Sequence, residues 1–217
     1  YAVKANPAPE ILRLLASMGS SFDCASVAEI EMAMDAGASA DRISYGNTIK
    51  KERDILRAFE LGIRLFAIDC VEEAEKIGRV APGSKVFCRV LTDGEGAEWP
   101  LSRKFGCAPS MAIDVLRHAK ALNLTPWGVS FHVGSQQVNL DAWDRALADA
   151  KMVFATLAEE GIVLGLVNMG GGFPTRYLKD VPSAQSYGQA IFGYLRKHFG
   201  NVLPETIIEP GRGMVGN

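Results

Sequence analysis

Apolar, β-prone runs recur along this chain at a fixed interval. Candidate strands begin near Tyr1, Phe22, Ile43, Arg64 and Lys85, each 21 residues after the last, and further starts follow near Gly128, Val163 and Thr206. Twenty-one residues hold a short strand, a three-turn helix and two tight loops. The alternation, with no run of consecutive hairpins, implies parallel pairing of successive strands. Eight strands are what closes a (β/α)8 barrel, about 250 residues long when complete. An open doubly wound sheet is the alternative, but it usually uses fewer strands. The segment "ETIIEPGR" supplies an eighth strand with no helix after it. The chain therefore reads as a barrel short of its last helix, residues 1–217 being one domain cut from something longer.

The intervening segments carry helix signals. Lys51–Leu61 sets Ile55, Leu56 and Phe59 on one face and ends at Gly62, a good residue to stop a helix. Ser110 is placed to cap a helix bearing Ile113, Leu116 and Leu122. Leu140, Trp143, Leu147, Phe154 and Leu157 keep helical spacing up to Gly161.

Composition narrows the function classes. Of 217 residues 48% are hydrophobic, and the net charge is −2 with no basic stripe. That fits a globular domain and argues against nucleic acid or an anionic membrane surface as the partner. The longest apolar stretch, Gly161–Gly172, is broken by five glycines and Asn168, well short of the roughly 20 residues a membrane helix needs. Cys24, Cys70, Cys88 and Cys107 are spaced too widely for a CxxC motif and read as reduced, buried thiols of a cytoplasmic protein.

In such barrels the active site lies at the C-terminal ends of the strands. The polar residues there are Lys4 and Asn6, Asp23 and Ser26, Asn47, Asp69, Arg89, His132 and Ser135, Gly170–Gly172, and Glu209 with Arg212. Phosphate groups are often held after the last two strands. Three consecutive glycines let main-chain N–H groups approach an anion, and an arginine adds a charge-assisted contact. In strand geometry Ala2, Lys4 and Asn6 share a face. A Lys4 turned into the mouth and desolvated becomes a usable nucleophile for an aldehyde. A phosphate site plus such a lysine suggests pyridoxal 5′-phosphate. Each residue also has an ordinary reading: Lys4 snorkelling, Asp23 as a helix cap, His132 as a core histidine, Glu209 paired with Arg212, the glycines as a flexible link. Their joint placement at matching strand ends is what argues for a site. A metal-dependent hydrolase is disfavoured, since His118 and His198 both fall on helix-like segments away from His132.

The pieces "YAVKAN", "FDCASVAEIE", "RKFG", "SFHVGSQ", "GGGFP" and "IIEPGR" occur in order from residue 1 to 213. This set resembles the fold-type III pyridoxal-phosphate decarboxylases of basic amino acids, whose barrel is of the alanine-racemase type. The resemblance implies that Lys4 forms the Schiff base and that His132 stacks on the pyridine ring. It implies that Ser135, Gly170, Gly171, Gly172, Gly211 and Arg212 hold the phosphate, and that Glu209 faces the ring nitrogen. Asp23 and Glu29 match residues near the lysine and cofactor. "FDCAS" and "AEWPLSRKFG" resemble the bacterial ornithine and lysine/ornithine branch, which makes L-ornithine to putrescine the expected reaction, in a homodimer with shared active sites. Diaminopimelate or lysine decarboxylation, or a non-catalytic regulatory relative, are the alternatives. Some relatives carry an arginine where this chain has Pro100, which leaves open whether Arg103 takes that role. The family's catalytic cysteine, substrate aspartate and phosphate-binding tyrosine belong to a C-terminal β domain and match nothing in this sequence.

Overall fold

A computed structural model describes residues 1–100 and 104–216. Seven strands form one parallel sheet: β1 (Phe22–Cys24), β2 (Ile43–Tyr45), β3 (Leu65–Ile68), β4 (Lys85–Arg89), β6 (Thr125–Ser130), β8 (Leu166–Asn168) and β9 (Glu205–Ile207), in that order. The two remaining strands, β5 (Ala97–Trp99) and β7 (Ser135–Gln137), make a separate antiparallel ribbon above the sheet's C-terminal edge. Helices α1 (Pro9–Ser17), α2 (Val27–Asp35), α3 (Glu52–Glu60), α4 (Val71–Val80), α5 (Pro109–Ala121), α6 (Asp141–Glu159) and α7 (Ala184–Phe199) follow the staves, and a single turn α8 (Arg212–Val215) ends the described chain.

The eighth stave is not a strand. Tyr1 and Ala2 occupy its place: Asp23 N–H donates to the Tyr1 carbonyl at 2.8 Å, and Ala2 N–H donates to the Pro210 carbonyl at 3.3 Å. Main-chain bonds thus run from the continuation of β9 round to β1 and close the parallel sheet as a curled α/β barrel. Beyond Ala2 the chain turns through a 3-10 helix, Val3–Ala5. The cause is local: Ala5 N–H bonds back to Ala2 O, and prolines at 7 and 9 cannot donate to a sheet ladder.

Alternation along the strands builds two cores. Phe22, Phe66, Ile68, Val86, Cys88 and Val129 point outward and are covered by Ile30, Ile55, Ile77, Leu116, Trp143 and Leu147 of the helices. Inside, Ala67, Phe87 and Leu166 plug the barrel with Trp127 and Ile207 partly buried beside them. Gly128 is required there, because a Cβ would lie 2.2 Å from the Leu166 carbonyl.

Several local expectations shift. β3, β6 and β8 begin at Leu65, Thr125 and Leu166 rather than Arg64, Gly128 and Val163. Leu56 is exposed, the buried face of α3 being Ile55 and Ala58. Ser110 lies inside α5, which starts at Pro109 after Ala108, since a proline at the first helical position sacrifices no bonded N–H. All four cysteines are free, but Cys70 is only half-buried. Among the described residues no helix is long and apolar enough to cross a membrane.

Candidate active site at the barrel mouth

The strand ends converge on two adjoining cavities. One, of about 450 Å³, is lined by Lys4, His132, Ser135, Gly171, Gly172, Tyr177, Glu209 and Arg212 among others. The other, of about 280 Å³, is walled by Asp23, Asn47, Arg89, Lys104 and Phe105, and shares Lys4, His132 and Glu209 with the first. Those three shared groups sit at the junction. A separate apolar cleft of about 400 Å³ lies between α7 and the β9–α8 segment, and among the described residues no charged group lines it.

Lys4 reaches the mouth from the 3-10 turn, not from a strand face, and its side chain is 62% exposed. The expectation of a desolvated lysine is therefore corrected, because the turn lifts the amine onto the cavity wall. Its Nζ lies 3.9 Å from Asp23 Oδ2. Asp23 is buried on β1, and Ser44 Oγ donates to its Oδ1 at 3.2 Å. Space for that carboxylate exists only because residue 46 is glycine, where a Cβ would lie 1.8 Å from Asp23 Oδ1.

Glu209 follows β9. Asn168, at the end of β8, donates from Nδ2 to Glu209 Oε1 at 2.5 Å, while its own Oδ1 accepts from Gly170 N–H at 2.9 Å. One buried amide thus ties the carboxylate to the glycine bend. Burial raises the Glu209 carboxyl above the usual range, and the Asp23 charge adds to this, while Lys4 opposes it. Glu209 does not pair with Arg212.

His132 follows β6. Its Nδ1 accepts from Gly134 N–H at 3.0 Å, which leaves the proton of the neutral ring on Nε2. Burial lowers its pKa to about 4, with Arg89 and Lys4 contributing in the same direction. The imidazole is therefore an uncharged, flat wall at neutral pH. Burial also lowers the Arg89 pKa, with Glu209 and Asp23 opposing.

The glycine run is a cradle that no side chain could line. A Cβ on Gly170 would lie 2.2 Å from the Phe131 carbonyl, one on Gly171 2.7 Å from that of Glu209, and one on Gly172 2.5 Å from that of Gly134. Across it stands Arg212, donating from Nε to Ser135 Oγ at 3.3 Å and from one terminal nitrogen to the Tyr177 hydroxyl at 2.9 Å. Gly211 allows this approach, since a Cβ there would meet Ala5 Cβ at 2.9 Å.

Other candidates have local duties. Ser26 Oγ accepts from Glu29 N–H and Glu29 Oε2 from Ala25 N–H, a reciprocal cap on α2 that takes Glu29 out of the cavity lining. Asp69 accepts from Gly106 N–H, and Asn6 Oδ1 from Ala8 N–H. Arg103 lies outside the described residues. Sequence reasoning passed over Asn168, whose one signal was an amide in the apolar run "LVNMGGG", and over Ser44, Gly46, Trp99 and Tyr177. Among the described residues no group of three or more His, Cys, Asp or Glu side chains is arranged to hold a metal ion.

A glycine cradle facing an arginine, with an amine, a buried carboxyl and a neutral imidazole in the wall shared by two adjoining cavities, suits a phosphorylated carbonyl cofactor. The fold and mouth define a cofactor-binding parallel barrel. The chain belongs to the pyridoxal-dependent decarboxylases: residues 1–216 match the family described as "Pyridoxal-dependent decarboxylase, pyridoxal binding domain". It is 36% identical to the lysine/ornithine decarboxylase of Selenomonas ruminantium, with 100% of this chain and 55% of that one aligned. It is 40% identical to the chloroplastic ornithine decarboxylase of Nicotiana glutinosa, over 98% of this chain and 49% of the relative. Antizyme inhibitor 2 of Xenopus laevis is 34% identical, with 100% and 48% covered. A crystal structure of the SrLDC mutant A225C/T302C in complex with PLP superposes with a TM-score of 0.93 at 35% identity, covering 100% of this chain and 56% of that one. The chain spans about half the length of the curated relatives it matches. Its cofactor is pyridoxal phosphate.

Proposed function

We propose that the protein carrying this chain decarboxylates a basic amino acid, L-ornithine giving putrescine, as a cytoplasmic homodimer. The observation that carries the reading is the meeting of Lys4, His132 and Glu209 at the junction of the two cavities. Lys4 is the covalent anchor for the aldehyde, and Asp23 keeps its amine oriented. Gly171, Gly172, Ser135, Gly211 and Arg212 take the phosphate, while Gly170, whose N–H is held by Asn168 Oδ1, shapes the bend beneath it. His132, neutral and held through Nδ1, presents its ring as one wall of the binding slot. Pyridoxal phosphate, when bound, supplies an electron sink for the charge left at Cα as CO2 departs. Glu209 serves that sink by holding a proton at the ring nitrogen, its carboxylate fixed by the Asn168 amide.

Incubation with pyridoxal phosphate, borohydride reduction and peptide mapping tests the anchor. The label is expected on the peptide containing Lys4 and is lost in Lys4→Ala; labelling at any other lysine in the wild type sinks the assignment. Turnover of ornithine, lysine and meso-diaminopimelate by the full-length protein then decides the substrate. The likeness to an antizyme inhibitor supports a second reading, a regulatory binding protein. Cofactor capture at Lys4 with no turnover of any of the three amino acids favours it.

A further inference from the structure

The antiparallel ribbon has no part in closing the barrel, yet it delivers two side chains to the anion end of the mouth. Trp99 on β5 stands directly opposite Ser135 on β7 in the ladder register. Directly opposed residues of an antiparallel pair project from the same face. Both face Arg212: Ser135 Oγ accepts from its Nε at 3.3 Å, and the guanidinium carbon lies 5.2 Å from the Trp99 ring centroid. That distance is within the reach of a cation–π contact. On the third side the Tyr177 oxygen accepts from the guanidinium at 2.9 Å. Arg212, on a four-residue turn and itself exposed, thus has its plane, its Nε and one terminal nitrogen each met by a different element.

Trp99 is 49% and Tyr177 53% exposed. Neither is needed for core packing, and Trp99 is absent from both hydrophobic clusters. A phenol that accepts one hydrogen bond still has its own proton to give. Tyr177 also lines the 450 Å³ cavity beside Gly172 and Arg212.

We propose that Trp99 and Tyr177 are phosphate-selecting residues of this site: Trp99 pre-sets the guanidinium plane of Arg212, and Tyr177 fixes its edge while donating its phenolic proton to the same phosphoryl group. Trp99 is a positioning residue and Tyr177 a further ligand. The ribbon is then part of the cofactor site, and specificity for the phosphorylated form of the vitamin is set partly outside the glycine run.

This inference rests on the pyridoxal-phosphate reading, so the experiment separates the two. Equilibrium binding of pyridoxal phosphate and of unphosphorylated pyridoxal is measured by fluorescence on the full-length protein for wild type, Tyr177→Phe, Trp99→Leu, Trp99→Phe and the control Leu178→Ala, a fully exposed neighbour. Tyr177→Phe and Trp99→Leu are expected to weaken pyridoxal phosphate by about three- to tenfold and leave pyridoxal unchanged. Trp99→Phe recovers part of the loss, and the control matches wild type. Equal losses for both ligands, or no loss, in Tyr177→Phe and Trp99→Leu overturn the proposal while the cofactor reading stands. A wild type that binds neither ligand overturns both.

Discussion

Two groups at the junction respond to pH in opposite senses. Burial raises the Glu209 carboxyl, so between its ordinary value and its folded one the native state holds more protons than the unfolded chain, and stability falls as pH rises through that window. Burial lowers His132 to about 4 from 6.5, so the unfolded chain holds more protons between those values and stability rises with pH there. Glu209→Gln keeps an oxygen to accept from Asn168 Nδ2 but has no charge to desolvate. In the cofactor-free protein it should therefore be more stable than wild type at pH 8, by on the order of 1 kcal/mol, with a flatter slope above pH 5. Urea melts at pH 5 and pH 8 read both effects, and a variant destabilised at pH 8 contradicts the buried-carboxylate account. On the proposed decarboxylase function, the same substitution in the full-length protein should cut kcat by about two to four orders of magnitude, since Glu209 is there assigned to hold the ring-nitrogen proton. His132→Phe keeps a flat ring and removes the titration; its stability should change less than that of wild type between pH 6.5 and 4.5, by about 1–2 kcal/mol.

Strands and loops divide the labour differently from what a pattern of apolar runs reveals. The spacing of 21 residues located β1, β2 and β4 at their first residue, because parallel strands buried on both faces leave a nearly continuous apolar signature. The β5–β7 ribbon left none. It is three residues a side, β5 largely exposed in a loop rich in glycine and charge and β7 with Gln136 and Gln137 buried, so its pairing depends on tertiary placement. Without the ribbon, Trp99 and Ser135 read as unrelated loop residues. The glycine run was legible as a tight bend from its composition, but which carbonyls it packs against was not. Gly172 has φ of +100° and its carbonyl accepts from Gln137 N–H, so it couples the end of β8 to the ribbon. Gly172→Ala meets both a strained backbone and a carbonyl at 2.5 Å. A loss of about 2 kcal/mol or more in thermal stability is expected, with cofactor affinity falling alongside. A variant with wild-type stability and binding would falsify the cradle.

Closure of the whole barrel depends on two residues at the start of the chain, and the same two carry the lysine. Tyr1 and Ala2 bridge β1 to the continuation of β9, and the Ala2 bond to Pro210, at 3.3 Å, is long beside the 2.8 Å bond from Asp23 to Tyr1. Most of the barrel was readable because it is a repeat; the last stave was misread as a strand because "YAVKA" has strand composition, while the turn that ends it is imposed by the prolines that follow. The consequence is mechanical. Lys4 stands two residues past the seam, and Gly211 and Arg212 stand just past Pro210 on the other side of it, with Gly211 packed against Ala5 and Ala2. A ligand that grips Lys4 at one end and Arg212 at the other therefore spans the seam closed by the Ala2–Pro210 bond. Such a ligand stabilises the closed form by RT ln(1 + L/Kd), an amount that grows with the free ligand concentration L. Hydrogen exchange on the full-length protein should show the Ala2 amide exchanging faster than Asp23 without ligand. Saturating pyridoxal phosphate should slow Ala2 and the 209–213 segment by at least about tenfold, and leave the β3–β4 amides unchanged. Pyridoxal, lacking the phosphate, should protect this seam far less. Uniform protection across the sheet, or protection confined to residues 170–172, would mean that the seam is not where the cofactor locks the barrel.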